Sequence, residues 1–206
     1  MRFSIIMPSY LGNYKNAASN RERKIHRAVK SVLEQSFQDF ELIVISDGCD
    51  KTAEIIMPYV EDNFPKVRLL QIIKQHNFSG AVRNSGIAYA HGDIIVYLDI
   101  DDYFGTDHLK IIDENIGDYD WVYFNDLQYD LGKKEFYDNP VQLAMGKCGT
   151  SNFAHRRSMN IYWMSNNYLH DWVMINTLMS ASSNYGKIPS GQYHCCHVPF
   201  PKRIDI

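Results

Sequence analysis

Residues 94–102 read IIVYLDIDD, and this stretch decides both the fold class and the place of the candidate site. Five apolar residues in a row are typical of a short strand that is buried on both faces of a parallel sheet. Three carboxylates follow within four positions, at Asp99, Asp101 and Asp102. Ligands of open α/β sheets bind outside the carboxyl ends of the strands, so the stretch predicts a functional site at that edge.

Apolar runs alternate with segments of helical periodicity through the first half of the chain. Strands are predicted at about residues 3–7, 42–45, 67–73, 94–98 and 121–124, and helices at about residues 25–33, 52–61, 80–90 and 107–116. The second half, rich in Tyr, Asn and Ser, has one clear helical segment at residues 171–179. This alternation predicts right-handed crossovers and a Rossmann-like, mostly parallel central sheet with helices on both faces.

The composition is that of an ordinary globular protein. The chain has 206 residues, of which 45% are hydrophobic and 22% charged, so we expect one domain over residues 1–206. The net charge of −3 disfavours a nucleic-acid partner. No apolar run reaches the length of a membrane span, and residues 1–8 are too quickly interrupted for a signal peptide. We therefore expect a cytoplasmic protein.

Cysteine spacing and the usual nucleotide-binding motifs exclude several kinds of site. The four cysteines form no CxxC pair and no zinc spacing, which predicts reduced thiols. Residues 194–197 read HCCH, but consecutive residues of a strand point to opposite faces, which disfavours a four-ligand metal site. The chain has no GxGxxG, P-loop or GxSxG pattern, which disfavours dinucleotide-binding Rossmann proteins, P-loop NTPases and a nucleophile elbow.

The carboxylates of residues 99–102 admit two interpretations. If the strand geometry continues, Asp99 and Asp101 point to the same side, and like charges that close are costly unless a cation neutralises them. Mg²⁺ and Mn²⁺ prefer carboxylate oxygens and keep positions for phosphate oxygens, so one hypothesis is a metal site that serves a diphosphate. The other is an acidic N-terminus of the helix at residues 107–116, where Asp stabilises the helix dipole.

A series of motifs in a fixed order resolves the class of protein. The motifs are SIIMPSY at residues 4–10, AVKSVLEQSF at 28–37, FELIVISDGCDKT at 40–52, AVRNSG at 81–86, AHGD at 90–93 and YLDIDD at 97–102. Over about residues 3–125 this series closely resembles family 2 glycosyltransferases. The resemblance implies the GT-A fold. It also implies a hexosyl- or N-acetylhexosaminyltransferase that inverts the configuration at the anomeric carbon. The QxxRW pattern of processive synthases is absent from the sequence, so we expect transfer of one sugar per encounter.

The resemblance implies a site for a nucleotide-diphospho-sugar, with a UDP-sugar favoured. Pro8, Ser9 and Tyr10 are expected to lie against the nucleotide base. Asp47 is expected to accept a hydrogen bond from the base. Ser46 stands where the family often has a first acid, so the identity of the base stays open.

The resemblance also implies a divalent cofactor, Mn²⁺ or Mg²⁺. Asp99 is expected to face the ribose and the metal, and Asp101 the metal and the diphosphate, with Ile100 between them in the same donor-binding set. Arg83 and Asn84 are expected to lie on a helix that approaches the nucleotide. Arg83 would complement phosphate or orient the Asp pair; the alternative is a surface arginine paired to an acid.

Inverting transfer needs a general base, because the acceptor hydroxyl loses a proton as it attacks the anomeric carbon. By resemblance this base is Asp171, in the stretch YLHDW at residues 168–172, where His170 replaces the usual Glu. The alternative for Asp171 is an ordinary N-cap of the following helix. The two roles are compatible.

Several residues keep two interpretations. His194 or His197 is a candidate third metal ligand, against a structural histidine. Asp102 is expected to support the neighbouring acids or to cap a helix. Residues 11–24 form a longer loop than is usual in the family, with basic residues suited either to closing over phosphates or to solvent.

The expected partners follow from the same resemblance. Residues from about 1 to 125 form the nucleotide-sugar-binding half and residues from about 126 to 206 the acceptor-binding half. The acceptor is expected to be a glycan or a lipid-linked hydroxyl, with residues 150–153 and Trp163 as candidates to line its site. The alternative for Trp163 is a core residue. Peripheral association with the inner face of the membrane and the oligomeric state are left open. The competing functions are a sugar-nucleotide-forming nucleotidyltransferase and a catalytically silent binding module.

Overall fold

The computed structural model describes residues 1–14, 17, 19–75, 79–164 and 169–196. Within these residues a central sheet of seven strands has the order β10-β6-β9-β4-β1-β2-β3. Its strands are β1 (Phe3–Ser9), β2 (Phe40–Asp47), β3 (Val67–Ile72), β4 (Ile94–Tyr97), β6 (Trp121–Tyr123), β9 (Phe153–Arg156) and β10 (Tyr185–Lys187). All neighbours pair parallel except β9, which runs antiparallel to both β4 and β6. The predicted α/β class and mostly parallel sheet are confirmed.

The helices lie close to the predicted segments. They are α1 (Arg21–Leu33), α2 (Asp50–Asn63), α3 (Ser79–Ala88), α4 (His108–Ile116) and α5 (His170–Ala181), with short 3-10 helices at Thr150–Asn152 and Arg157–Met159. Among the described residues, no helix combines the length and the hydropathy that a membrane crossing requires.

The helices cover both faces of the sheet. Along β1, Phe3, Ile5 and Met7 pack into one buried cluster with residues of α1, α2 and α4, whereas Ile6 packs into a second cluster with residues of α3 and α5. Successive side chains of a strand point to opposite faces, so a strand buried on both sides reads as a continuous apolar run. This is why the sequence predicts these strands well.

The strand register brings the carboxyl ends of three strands together. Ser9 pairs with Ser46 between β1 and β2, and Ile6 pairs with Tyr97 between β1 and β4. The residues that follow these strands therefore meet at one edge of the sheet. This is the edge at which open α/β sheets bind ligands.

A smaller sheet in the second half was not predicted. It has the order β5-β11-β7-β8, formed by β5 (Tyr103–Phe104), β7 (Asp126–Asp130), β8 (Glu135–Asn139) and β11 (Tyr193–Cys195). These strands are two to five residues long and partly exposed, so they carry no buried apolar run. The sheet lies directly beyond the acidic stretch, because β5 begins at Tyr103.

A buried carboxylate holds β1, β2 and β3 together. Glu41 Oε1 accepts hydrogen bonds from Ser4 Oγ at 2.7 Å and from the His91 N–H at 2.6 Å, and Oε2 accepts one from Arg68 Nη1 at 2.6 Å. Burial by itself raises the pKa of Glu41. The hydrogen bonds from Ser4, His91 and Arg68 outweigh it and lower the pKa below the usual 4.5.

The lowered pKa makes Glu41 a source of pH-dependent stability. The stability that Glu41 contributes is fully present above the pKa that Glu41 has in the unfolded chain. It is lost as the pH falls through the pKa that Glu41 has in the folded protein. We expect Glu41→Gln to lower the free energy of unfolding at pH 7 by about 2 kcal/mol. Urea unfolding from pH 7 to pH 3 should show the variant and wild-type curves converging at low pH. Glu114→Gln, at an exposed residue, is the control. A difference in unfolding free energy between Glu41→Gln and the wild type that stays constant at every pH would contradict this role of Glu41.

Candidate functional site

The acidic stretch forms a turn, not the end of a strand. The strand β4 ends at Tyr97, and the N–H of Asp102 donates to the carbonyl of Asp99 at 3.1 Å. The strand geometry therefore does not continue to Asp101, because the chain turns after Leu98, and strand alternation gives no reason to place Asp99 and Asp101 on one side. Ile100 is buried within the same turn.

A buried arginine faces the first carboxylate of the turn. Arg83, on α3, is 2% exposed, and its Nη2 donates to Asp99 Oδ1 at 2.6 Å while its Nη1 donates to Ser79 Oγ at 2.6 Å. The guanidinium lies over the Trp163 ring, with Cζ 4.6 Å from the ring centroid. Arg83 is thus not the surface residue of the alternative interpretation. It orients Asp99, and its contact with phosphate stays a prediction.

The charges of Asp101 and Asp171 both act on Asp99, the partner of Arg83. Burial raises the pKa of Asp99 although 36% of the side chain is exposed, the Arg83 charge opposes this, and the charges of Asp101 and Asp171 raise the pKa further. Burial by itself lowers the pKa of Arg83, but the charges of Asp99 and Asp171 outweigh it and hold the guanidinium charged. The fold has therefore brought Asp171 close to residues far from it in sequence.

Asp171 belongs to the first turn of α5, whose N-cap is Leu169 and not Asp171. Its Oδ1 accepts a hydrogen bond from Thr150 Oγ1 at 2.7 Å and lies 3.6 Å from His170 Nδ1. One third of the Asp171 side chain is exposed. Thr150, a candidate for the acceptor site, contacts Asp171 directly, so one oxygen of Asp171 is held while the side chain still reaches solvent.

At the end of β2, Asp47 is buried and bonded to the segment after β3. Lys74 Nζ forms an ion pair with Asp47 Oδ2, and the N–H of Gln75 donates to Asp47 Oδ1 at 2.6 Å. Lys74 Nζ also lies 4.0 Å from the centroid of the Tyr10 ring. Tyr10 and Asp47 thus meet across Lys74, which sequence reasoning missed. Its signal is its position just beyond a strand that ends at the same edge of the sheet.

Other expected donor residues make contacts within the protein. Ser9 Oγ and Thr52 Oγ1 share a hydrogen bond of 2.9 Å, and Pro8 is buried in β1. Asn84 Nδ2 donates to the Trp163 carbonyl at 2.9 Å, and Asn84 Oδ1 accepts from the Trp163 N–H at 2.8 Å. Trp163 is buried, in agreement with a core residue. The roles of Pro8, Ser9 and Asn84 toward a ligand stay predictions.

The loop after β1 approaches the acidic turn. Arg21 donates from Nη1 to the Tyr10 carbonyl at 2.7 Å and from Nη2 to the Gly12 carbonyl at 2.9 Å, and its guanidinium lies 4.8 Å from the Tyr14 ring centroid. Burial raises the pKa of Tyr14, Arg21 opposes this, and the charges of Asp101 and Asp99 add to the rise. Residues 15, 16 and 18 of the 11–24 segment lie outside the described residues.

The candidate third metal ligands differ in what the structure shows. The His194 ring stacks on Tyr103, with centroids 4.3 Å apart, and His194 Nδ1 is hydrogen-bonded to the Gln192 carbonyl at 3.1 Å. His197 lies outside the described residues. Within the described part of the chain, no group of three or more His, Cys, Asp or Glu side chains is arranged to hold a metal ion. The hard donors of the turn are the carboxylates of Asp99 and Asp101, with the third, Asp102, buried against Tyr193 and Cys196.

The family and several relatives are identified by comparison. A family model described as "Glycosyl transferase family 2" matches residues 4–173. An uncharacterized glycosyltransferase of Haemophilus influenzae is 38% identical over 108 residues, covering 52% of this chain and 39% of the relative. TarS of Staphylococcus aureus, named a poly(ribitol-phosphate) beta-N-acetylglucosaminyltransferase, is 30% identical over 125 residues, covering 57% of this chain and 20% of TarS. The chain thus spans less than half the length of these curated relatives.

Solved structures share the architecture. TarS 1–349 in complex with UDP-GlcNAc superposes with a TM-score of 0.70 at 19% identity, covering 95% of this chain and 58% of that chain. A mannosyltransferase of Pyrobaculum calidifontis in complex with GDP-Man and Mn²⁺ superposes with a TM-score of 0.69 at 14% identity, covering 98% and 58%. These identities are low, so the likeness shows the fold alone, which is the expected GT-A fold.

The fork of contacts around Arg83 gives a stability prediction. A lysine ammonium lacks the planar guanidinium that bonds Ser79 and Asp99 while stacking on Trp163. We expect Arg83→Lys to lower the free energy of unfolding by about 1–2 kcal/mol in urea titrations. Arg156→Lys, at a half-buried arginine that donates to the carbonyls of Tyr119 and Gly117, should cost less. Equal losses of unfolding free energy in the two variants would show that the contacts of Arg83 with Ser79, Asp99 and Trp163 add no particular stability.

Proposed function

The chain belongs to glycosyl transferase family 2, and from this premise we propose that it is an inverting glycosyltransferase. It moves one sugar from a nucleotide-diphospho-sugar to an acceptor hydroxyl. The observation that carries the proposal is the grouping of Asp99 and Asp171 around the buried Arg83, with Asp101 in the same acidic turn. This grouping offers carboxylates for a diphosphate-bound cation and a separate carboxylate for a proton.

The donor half extends along the edge of the sheet from Tyr10 to Asp101. Tyr10 and Asp47 lie at the ends of neighbouring strands and hold the base, and Asp99 and Asp101 face the ribose and the diphosphate. A carboxylate oxygen has more than one acceptor site, so Asp47 accepts from a base while it keeps the hydrogen bonds from Lys74 and Gln75. The UDP-GlcNAc complex of TarS supports a UDP-sugar as the donor and a hexosyl or N-acetylhexosaminyl group as the transferred group.

Mn²⁺ or Mg²⁺ fits the donor set of the turn. Asp99 and Asp101 offer carboxylate oxygens, which these hard ions prefer, and two protein ligands leave positions for diphosphate oxygens. When bound, the ion supplies positive charge that stabilises the leaving diphosphate. The Mn²⁺ in the complex of the Pyrobaculum calidifontis mannosyltransferase supports a divalent cofactor. Arg83 holds Asp99 in place by the 2.6 Å hydrogen bond to Oδ1.

Asp171 is the general base. Thr150 holds its Oδ1, and within the described residues Oδ2 has no hydrogen-bond partner, so Oδ2 is the oxygen that takes the acceptor proton. The proton leaves the acceptor hydroxyl as its oxygen attacks the anomeric carbon, and the bond to the diphosphate breaks on the opposite face. The second half of the chain, which supplies Thr150 and Asp171, binds the acceptor.

The acceptor is a hydroxyl of a glycan or of a lipid-linked carrier. We place the enzyme in the cytoplasm, where nucleotide sugars and the exposed headgroups of lipid carriers meet at the inner face of the membrane.

Ligand-dependent unfolding tests the donor site. A ligand that binds only the folded state stabilises it by about 2.7 kcal/mol at 100 times its Kd. We expect UDP with Mn²⁺ to raise the unfolding midpoint of the wild type, and EDTA to remove most of the rise. Asp101→Asn should lose the rise, whereas the exposed control Asp118→Asn should keep it. No rise with UDP, GDP, CDP or dTDP would overturn the donor site.

Product analysis tests the reaction. With a sugar nucleotide and a hydroxyl acceptor, we expect the wild type to release a nucleoside diphosphate. Asp171→Asn should lower this rate by about 10²–10⁴-fold without weakening donor binding, because only proton removal is lost. Asp118→Asn should retain the rate. Release of pyrophosphate would instead indicate a nucleotidyltransferase, and donor binding without any product would indicate a silent binding module.

A further inference from the structure

One buried hydroxyl connects both ends of the acidic turn. Tyr193 Oη accepts a hydrogen bond from the N–H of Asp99 at 3.1 Å and donates one to Asp102 Oδ2 at 3.0 Å. The other oxygen of Asp102 accepts from the N–H of Cys196 at 2.6 Å. A single side chain from the end of the described chain therefore holds the first and the last residue of the turn.

The position of this hydroxyl is set by the smaller sheet. Tyr193 begins β11, where it pairs with Phe104 of β5, and the next residue pairs with Leu127 of β7. The Tyr193 ring also packs against the rings of Phe104 and His108. Because strand pairing and ring packing fix the ring, the hydroxyl has little freedom to leave the turn.

Asp102 acts within the protein and not on a ligand. Asp102 is 6% exposed and Tyr193 is 1% exposed. Burial raises the pKa of Asp102 well above its usual value, and the charges of Asp101 and Asp99 add to this. The helix α4 begins only at His108 with Asp107 as its N-cap, so Asp102 does not cap it. The structural use of Asp102 is to receive Tyr193 and Cys196.

We propose that Tyr193 is a positioning residue that fixes the acidic turn in the shape in which Asp99 and Asp101 hold the cation and the diphosphate. This inference rests on the proposed function. A tyrosine hydroxyl both donates and accepts, so Tyr193 can bridge an N–H and a carboxylate at once. Phenylalanine keeps the ring packing and removes both hydrogen bonds, so the N–H of Asp99 loses its partner while the bonds from Arg27 to the Asp101 carbonyl and from Cys196 to Asp102 remain. Mutation of a residue that supports a metal ligand typically lowers metal affinity by about 10–100-fold.

A direct binding measurement tests the proposal. Free Mn²⁺ is followed by electron paramagnetic resonance in titrations with UDP present, and with GDP, CDP and dTDP in parallel. We expect Tyr193→Phe to raise the half-saturating Mn²⁺ concentration by at least about 10-fold. Tyr59→Phe is the matched control, since its hydroxyl bonds His26 on another part of the surface, and it should bind Mn²⁺ as the wild type does. In turnover assays, high Mn²⁺ should restore most of the kcat of Tyr193→Phe.

Hydrogen exchange separates this proposal from the proposed function. We expect a peptide spanning residues 98–104 to exchange faster in Tyr193→Phe than in the wild type or Tyr59→Phe, without any ligand. Unchanged exchange together with unchanged Mn²⁺ affinity would overturn the proposal. Faster exchange with unchanged Mn²⁺ affinity would overturn the positioning role and leave only a structural tether. If the wild type binds no nucleotide and no Mn²⁺, the proposed function has failed, and the role of Tyr193 in cation binding fails with it. The exchange rates of residues 98–104 still decide whether Tyr193 holds the turn.

Discussion

Repulsion among carboxylates at one edge of the central sheet is the constraint on which the rest of the structure depends. Asp99, Asp101 and Asp102 occupy one turn, and like charges this close cost free energy unless they are neutralised or bonded. The protein meets this cost with a buried guanidinium on Asp99 and a buried hydroxyl and backbone N–H on Asp102. The carbonyl of Asp101 accepts a further hydrogen bond from Nη2 of Arg27, on α1, at 2.7 Å.

These partners come from distant parts of the chain, which gives the two halves a shared site. The helix α3 supplies Arg83, the smaller sheet supplies Tyr193, and α5 supplies Asp171. The Trp163 ring completes the arrangement, because it covers the guanidinium while its backbone is held by Asn84. Burial of these groups makes each unpaired polar atom expensive, so a partly assembled site is disfavoured and the halves stabilise one another.

The central sheet was predictable because buried parallel strands and amphipathic helices write periodic patterns into the sequence. The smaller sheet was not, because its strands are short and partly exposed. The acidic turn shows the same limit at the site. The sequence predicted that these carboxylates carry the chemistry, but the strand geometry on which the placement of Asp99 and Asp101 depended does not continue past Tyr97. The local signal of Lys74 is only its position beyond β3, and Tyr193 has none, since both are important through contacts with residues more than 25 positions away.

The sequence by itself determined the family, the α/β class, the edge of the sheet where the acids lie and the identity of the candidate acids. These properties follow from local patterns, which neighbouring residues specify among themselves. Only the tertiary structure decided which groups oppose the charge of Asp99, which oxygen of Asp171 is held by Thr150, and how Tyr193 closes the turn. Hydrogen bonds and ion pairs act over about 3 Å, and contacts that close between residues distant in sequence depend on strand register and side-chain direction.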